Sequence, residues 1–502
     1  MTLGPPPAVG DPDTVTLGRT AARAVMWNYI SFASGKLLVL ATMAVLARLL
    51  TPQEFGIVAF ATVAINGLAV LKDLGLGGAV IQRRDDTEES AQTVYLLNLA
   101  MSVLLTAGTA LAAPAVAAFF REPLVVPILR VLSFTFLLQA LGAIHVVLLR
   151  RNLDFRRKLV PDIGQAVIKG VASVAFAVAG FGVWALVWGQ LIGALAASIL
   201  AWVVIPWKPR FRMHRRLVRP LMRFGMPLML TDIQAAVWSN LDYIIVGRML
   251  GDTALGVYTL AYRLPELLIL SVWRVLAGAI FPFFSSIQRY PDLLRKGFLA
   301  TIRYSQIVVV PLCVGLFITA EPAVRVLFGE QWLDAVPVLR LLAVFALVGS
   351  VGVNIGDVYK AIGRPDILAK LSALELTLLT PALILGARHG LVGVAAAHAA
   401  VATIDTTIRL TVARRFVDVT FRDIGRQLLP SLQAGAALAV VATGALWAAS
   451  PAGPAAALAA AVVAGGAAYS LVLYRVDGEA VRRLAGWLRG HRTSPQPEEA
   501  RP

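Results

Sequence analysis

Charged side chains inside otherwise apolar runs are where this sequence can do chemistry. Lys36, Asp73, Asp242, Arg263, Glu266, Arg274 and Arg303 all stand within stretches of mostly apolar residues. These stretches are roughly 20 residues long, the length that crosses a bilayer core. A charge at that depth is costly, so it faces a cavity or a partner. Arg263 and Glu266 are spaced i, i+3, and Arg274 lies two turns beyond Glu266 on a similar helical face. Asn66 and Asp73, seven apart, share a face of their own span. Lys36 and Arg274 sit about a dozen residues inside their spans, near mid-membrane. Arg48, Arg248, Arg303 and Arg409 stand nearer span ends, where the alternative is a side chain that snorkels to the headgroups. Arg263–Glu266 has a second reading as a purely structural pair. The helices carrying most of these charges are the first, second, seventh and eighth. They are expected to line a central cavity of cationic character.

The elements that must position these residues are membrane helices. Of 502 residues, 58% are hydrophobic and 15% charged, with a mean hydropathy of +0.75; soluble domains carry about 25% charge. Read against Pro, Gly and charge punctuation, the apolar runs give about 14 spans. They fall near 25–47, 55–79, 92–118, 124–149, 160–180, 184–205, 223–249, 255–285, 298–320, 333–360, 367–387, 391–413, 428–449 and 454–474. Lys and Arg crowd the even loops, among them Arg150, Arg151, Arg156, Arg157 and Lys158, then Lys208, Arg210, Arg212, Arg215, Arg216 and Arg219. The odd loops hold few. This alternation puts the rich loops and both termini in the cytoplasm. It also accounts for the net charge of +17 without a nucleic-acid partner. Residues 1–24 read as a disordered cytoplasmic tail and 475–502 as a second cytoplasmic tail. Residues 206–222 and 475–490 mix apolar side chains with arginines and are expected to be basic helices on the cytoplasmic leaflet, or else solvated loops.

An internal repeat organises the spans. Arg48, Leu50 and Gly56 recur as Arg248, Leu250 and Gly256 at one offset of 200. Ile81-Gln82-Arg83 returns as Ile287-Gln288-Arg289 at the end of the equivalent span. Six spans separate the copies, so equivalent helices run the same way and the repeat is parallel. The expected organisation is a six-helix bundle over 25–205, a basic linker over 206–222 and a second six-helix bundle over 223–413. A two-helix addition follows over 428–474. Its helices are rich in Ala and Gly and nearly devoid of charge, as expected of a packed peripheral hairpin.

Several chemistries are excluded. Cys313 is the single cysteine, so no disulfide forms within the chain and no Cys-rich metal site is built. The five histidines have no metal-ligand spacing, there is no HExxH, and no GxxxxGK[ST] phosphate loop is present. No cofactor is expected. The first outer loop carries Glu54 as its only acid, which argues against a membrane enzyme.

The stretch LARLLTPQEFGIVAFATVAINGLAVLKDLGLGGAVIQRRD resembles the N-terminal half of Wzx-type polysaccharide flippases of the MOP (multidrug/oligosaccharidyl-lipid/polysaccharide) exporter superfamily. The second half echoes it in Leu241 to Arg248, Leu250-Gly251 and Gly256-Val257-Tyr258. The resemblance covers roughly residues 19–475. It implies an all-α polytopic fold of two six-helix bundles plus two extra helices, in the bacterial inner membrane. It also implies translocation of undecaprenyl-pyrophosphate-linked oligosaccharide from the cytoplasmic to the periplasmic leaflet. Cations would hold the pyrophosphate, a role suited to arginine's fork and lysine's point charge. That role falls on Lys36, Arg263 and Arg274, with Arg303 as a further cation. Asp73, Asp242 and Glu266 become candidates for ion coupling, or else balance nearby cations. Membrane lipids, a polysaccharide polymerase and glycosyltransferases are the expected partners. The rival readings are a multidrug or cation exporter of the same superfamily, a polysaccharide polymerase or ligase, and a non-transporting scaffold for polymer assembly. The mid-membrane Lys36 and Arg274 count against a pocket for cationic drugs.

Overall fold

The structure, a computed structural model, describes residues 35–82, 86–270, 280–281, 283–352 and 355–488. Among these residues every regular element is helical. In order they are α1 (35–49), α2 (Pro52–Asp73), α3 (Leu76–Gln82), α4 (Thr87–Phe120), α5 (Val125–Arg151), α6 (Phe155–Val178), α7 (Val183–Val204), α8 (Arg215–Leu250) and α9 (Asp252–Pro265). A π-helical turn, Glu266–Leu270, follows α9. Then come α10 (283–287), α11 (Pro291–Leu327), α12 (Ala335–Gly352), α13 (Ile355–Ala361), α14 (Pro365–Ala387), α15 (Gly390–Val417), α16 (Phe421–Ala449) and α17 (Pro454–Leu488).

Eleven of the described helical stretches are long and apolar enough to cross a membrane. The other three expected spans fall on α1, on α8 and on the stretch from α9 to α10. The first and third of these run partly outside the described residues, and α8 carries Asp232, Asp242 and several arginines. The expected cytoplasmic tail at 1–24 lies outside the described residues. Helices suit this sequence because a bilayer offers no water to its backbone, so each segment must satisfy its own N–H and C=O groups.

Local signals fix the helix ends. Thr51 caps α2 with a reciprocal pair of bonds. Its Oγ1 accepts from the Glu54 N–H at 3.3 Å, and Glu54 Oε2 accepts from the Thr51 N–H at 2.7 Å. Pro52 then takes the first helical position, where its missing N–H costs nothing. Thr420 and Asp423 repeat this capping arrangement on α16. The second span is broken: α2 stops where Leu74 and Gly75 turn left-handed (φ 49° and 67°), and α3 restarts at Leu76.

The chain divides into two compact units. The first takes in the chain up to Thr259 together with Leu327–Gln331; the second holds Leu260–Val326 and everything from Trp332 onward. The repeat divides the chain at the linker, whereas the compact units divide at Thr259. The first unit therefore contains α8 and the first turns of α9.

In the first unit a buried cluster of Leu76, Val80, Val94, Ile144, Leu217 and Leu221 ties α3, α4, α5 and α8 together. The linker at 206–214 is irregular rather than helical, and α8 begins at Arg215. Polar bonds explain why no helix forms there. The Arg210 N–H donates to Gln92 Oε1 at 2.7 Å, the His214 N–H to Thr93 Oγ1 at 3.2 Å, and the Trp207 indole to Glu88 at 2.9 Å. Backbone groups that a helix would pair internally are instead fastened to the start of α4.

In the second unit two buried clusters form. One joins α11, α13, α14 and α15 around Phe298, Tyr359, Leu371 and Leu410. The other fastens the last two helices to α11 through Ile307, Val310, Leu438, Tyr469 and Leu473. The Tyr469 hydroxyl donates to the carbonyl of Ile307 at 2.8 Å, so the hairpin is bonded as well as packed. α17 kinks at Asp477 (φ −140°, ψ 48°), and the stretch beyond remains helical to Leu488.

Candidate functional site

In the first unit the candidate residues come from α1, α2 and α8. Lys36 is half-buried near the start of the described part of α1. Asp73 is the last residue of α2, at the break in the second span. Asn98 of α4 donates to its Oδ1 at 3.2 Å, and the Gly77 N–H in the first turn of α3 also reaches its carboxylate. The break thus aims an unpaired helix N-terminus at an acid, a favourable arrangement. Lys72, beside it, donates to Gln139 of α5 at 2.8 Å. Asp242 is buried in α8, where the buried Tyr258 hydroxyl donates to its Oδ2 at 2.8 Å and the Tyr243 N–H to its Oδ1 at 2.9 Å. Tyr243 stacks edge-on against Tyr258 at 5.5 Å and steadies that hydroxyl.

In the second unit the charges form ion pairs. Arg263 Nη1 meets Glu266 Oε2 at 2.8 Å, with both side chains half-buried. Glu266 opens the π-helical turn, a device that re-aims side chains and collects at functional positions. Arg303 is held by both oxygens of Asp477, its Nε at 2.6 Å from Oδ2. Asp477 is only 3% exposed, and its Oδ1 also accepts from the Ala480 N–H at 3.3 Å, capping the helix beyond the kink. Arg274 lies outside the described residues.

A further cluster stands on α14 and α15. Arg409 bonds Asp405 at 2.5 Å and Glu375 at 2.9 Å. Both Arg409 and Asp405 are 11% exposed. The spacing of 405 and 409 is a legible i, i+4 signal. Glu375 lies 34 positions from Arg409, on the neighbouring helix, and Asp477 lies 174 positions from Arg303. No sequence spacing points to either. Asp73 and Asn98, 25 apart on different helices, were no more visible.

Among the described residues no group of three or more His, Cys, Asp or Glu side chains is placed to hold a metal ion. Cys313 is buried as a free thiol. The chemistry available is therefore binding and release of charged groups inside a membrane, by cations and carboxylates that already have partners to exchange.

The fold is one that solved membrane transporters share. The structure superposes on a lipid II flippase MurJ in an inward closed conformation with a TM-score of 0.72, covering 92% of this chain and 100% of that one at 13% identity. It matches a MATE-family multidrug resistance transporter in an inward-facing conformation with a TM-score of 0.65, covering 76% and 94% at 20% identity. A profile of the family described as "Polysaccharide biosynthesis protein" matches residues 45–337, more than half the chain, and the protein belongs to that family.

Named relatives agree. The chain is 30% identical to the succinoglycan biosynthesis transport protein ExoT of Rhizobium meliloti over 65% of its own length and 66% of that protein's. It is 28% identical to the teichuronic acid biosynthesis protein TuaB of Bacillus subtilis, covering 68% and 71%. It is 27% identical to the lipopolysaccharide biosynthesis protein WzxC of Escherichia coli, covering 74% and 76%. The match thus spans just under two thirds of ExoT and somewhat more of the other two.

Proposed function

We propose that this protein flips undecaprenyl-pyrophosphate-linked oligosaccharide repeat units from the cytoplasmic to the periplasmic leaflet of a bacterial inner membrane. The units would feed synthesis of O-antigen, capsule or exopolysaccharide. The observation that carries the reading is the membership of a polysaccharide-biosynthesis family by a chain whose spans hold charged groups. In this reading both termini are cytoplasmic and access alternates between the two sides. The lipid tail stays in the bilayer while the glycan follows a polar path. The protein performs no covalent chemistry, and a polysaccharide polymerase acts on what it delivers.

Lys36, Arg263 and Arg274 are proposed to hold the pyrophosphate, whose two phosphates suit a set of cations better than a single one. Arg263 would trade Glu266 for phosphate on loading, which frees Glu266 to take up a proton or a sodium ion. Asp73 and Asp242, to which Asn98 and Tyr258 donate, are proposed as further coupling groups. Arg303, already held by Asp477, would join the phosphate set only if that pair opens.

Deletion of the gene tests the function. Lipid-linked repeat units are expected to accumulate on the cytoplasmic side while surface polymer disappears. Unchanged surface polymer would overturn the reading. Joint replacement of Lys36, Arg263 and Arg274 by Ala is expected to reproduce the deletion, with the protein still present in the membrane at normal level.

A further inference from the structure

Three buried polar atoms on α4 have no hydrogen-bond partner among the described residues. They are Asn98 Oδ1, Ser102 Oγ and Thr109 Oγ1, on side chains at most 2% exposed. A buried polar group left unmatched costs about 1–3 kcal/mol, so such groups are normally met by water or an ion. At roughly 100° per residue the three positions fall within about 40° of one another, on one face of the helix. Together they run about 16 Å along its axis. Thr106 stands beside this face. Its hydroxyl is shared between the carbonyl of Ser102 at 2.7 Å and that of Ser133, on α5, at 3.1 Å. The polar row therefore lies against α5, inside the first unit.

Each end of the row meets a charged group. At one end Asn98 Nδ2 donates to Asp73 Oδ1 at 3.2 Å. Donation to a carboxylate fixes which way the amide points and leaves its Oδ1 as the unmatched atom. Asp73 is half-buried, and the charges that act on it among the described residues are Lys72 beside it and Arg150 of α5. At the other end, one residue past Thr109, the Ala110 carbonyl accepts from Arg130 Nε at 3.4 Å, and Arg130 is exposed. The loop that follows α4, residues 121–124, is one of the odd loops poor in Lys and Arg, which puts this end on the outer side.

We propose that this face of α4 is a proton relay from the outer side of the membrane to Asp73. The inference rests on the reading of Asp73 as a coupling group and on the orientation that follows from the loops. Hydroxyls and the waters that bridge them each accept a proton on oxygen and pass on one of their own. A proton taken from water at the outer end thus leaves the row unchanged and ends on the Asp73 carboxylate, which becomes a neutral acid. That final transfer, from a water to Asp73, obliges the Asn98 amide to turn over. The acid then donates to Oδ1, and Nδ2 donates to an oxygen of the row. Asn98 is the switch between the row and the acid, and the half-buried carboxyl of Asp73 releases its proton on the other side. The chemistry fits a proton better than a metal ion. Among the described residues no group of three or more acids or histidines gathers to hold a metal, and Asp73 is met by N–H donors that a metal ion would have to displace.

The test uses the purified full-length protein in phospholipid vesicles of one orientation. The readout is the infrared carboxyl band of Asp73, assigned by its loss in Asp73→Asn. In the parent an acid jump on either side is expected to raise this band. Thr109→Val with Ser102→Ala breaks the row and is expected to slow the response to outer acid roughly tenfold or more. The response to inner acid is expected to stay at the parent rate, which also reports that the protein is folded. Thr109→Val alone is expected to act in the same direction, whereas Thr109→Ser keeps the hydroxyl and the parent rate. Ser90→Ala is the control, because Ser90 Oγ is also buried and unmatched but lies off this face. A double variant that answers outer acid at the parent rate, or a parent with no outer response, overturns the proposal. So does a band that answers to sodium at constant pH and not to acid. If the outer response slows as expected while Asp73→Asn leaves polymer export intact, the coupling reading falls and the relay stands.

Discussion

The candidate acids of the two units are bonded differently. In the first, the Asn98 amide and the Tyr258 hydroxyl donate to the carboxylates of Asp73 and Asp242, though Lys158 of the same unit pairs with Asp162. In the second, carboxylates meet cations: Glu266 with Arg263, Asp477 with Arg303, and Asp405 and Glu375 with Arg409. An acid held by neutral donors can gain or lose a proton, or take a cation, without stranding a buried partner. An acid held by arginine cannot, because its departure leaves an uncompensated charge. The first arrangement suits groups that change state during a cycle, and the second suits groups that hold helices in place. Arg263–Glu266, half-buried at a π-helical turn, is the pair of the second unit best placed to open.

Four experiments sharpen or break this contrast. The largest effect is expected from Arg409→Met, which leaves Asp405 and Glu375 facing each other without their cation. Loss of about 3–5 kcal/mol is expected for a buried pair broken from one side, measured as a fall in melting temperature in detergent. If Arg409→Met melts like the parent, these pairs do not hold the unit together. Next comes Tyr258→Phe, which strips a buried acceptor of its donor and should cost about 1–3 kcal/mol.

Arg303 and Asp477 form a cycle of two single alanine substitutions and the double. Arg303 is 36% exposed, so a smaller coupling of about 1–2 kcal/mol is expected, between the exposed and buried extremes. A coupling near zero would mean that the last helix is held by apolar packing alone. The smallest stability change is expected from Asp242→Asn, because the amide oxygen can still accept from the Tyr243 N–H while its NH2 donates to the Tyr258 hydroxyl oxygen. Stability should move by less than about 1 kcal/mol, while export falls if Asp242 is a coupling group. A large loss of stability with export retained would reverse the assignment.

Much of this fold was legible in the sequence. Apolar runs of bilayer length announced the membrane helices, and Thr51-Pro52-Gln53-Glu54 spelled the start of α2. The recurrence of Arg, Leu and Gly at one offset is read as a repeat. What the offset could not tell is that Gly56 and Gly256 touch each other's helix. The linker was read as helix or loop, and it is both: 206–214 is irregular and 215–222 opens α8. Nothing local reports that Gln92 and Thr93, over 100 positions earlier, bond its backbone. The candidate charges were found because a charge in an apolar run is conspicuous. Their partners were not found, since Asn98, Tyr258 and Asp477 contact them across helices at separations that no periodicity encodes.

The division at Thr259 has a consequence for the order of synthesis. The first unit needs α8 and the opening turns of α9, so it cannot be completed when the first six spans have left the ribosome. Those spans must wait in the membrane until Leu217 and Leu221 arrive to complete the cluster around Leu76 and Val80. A chain cut at the linker would therefore yield a first fragment lacking part of its own core. The second fragment would have to lend its α8 to complete the first.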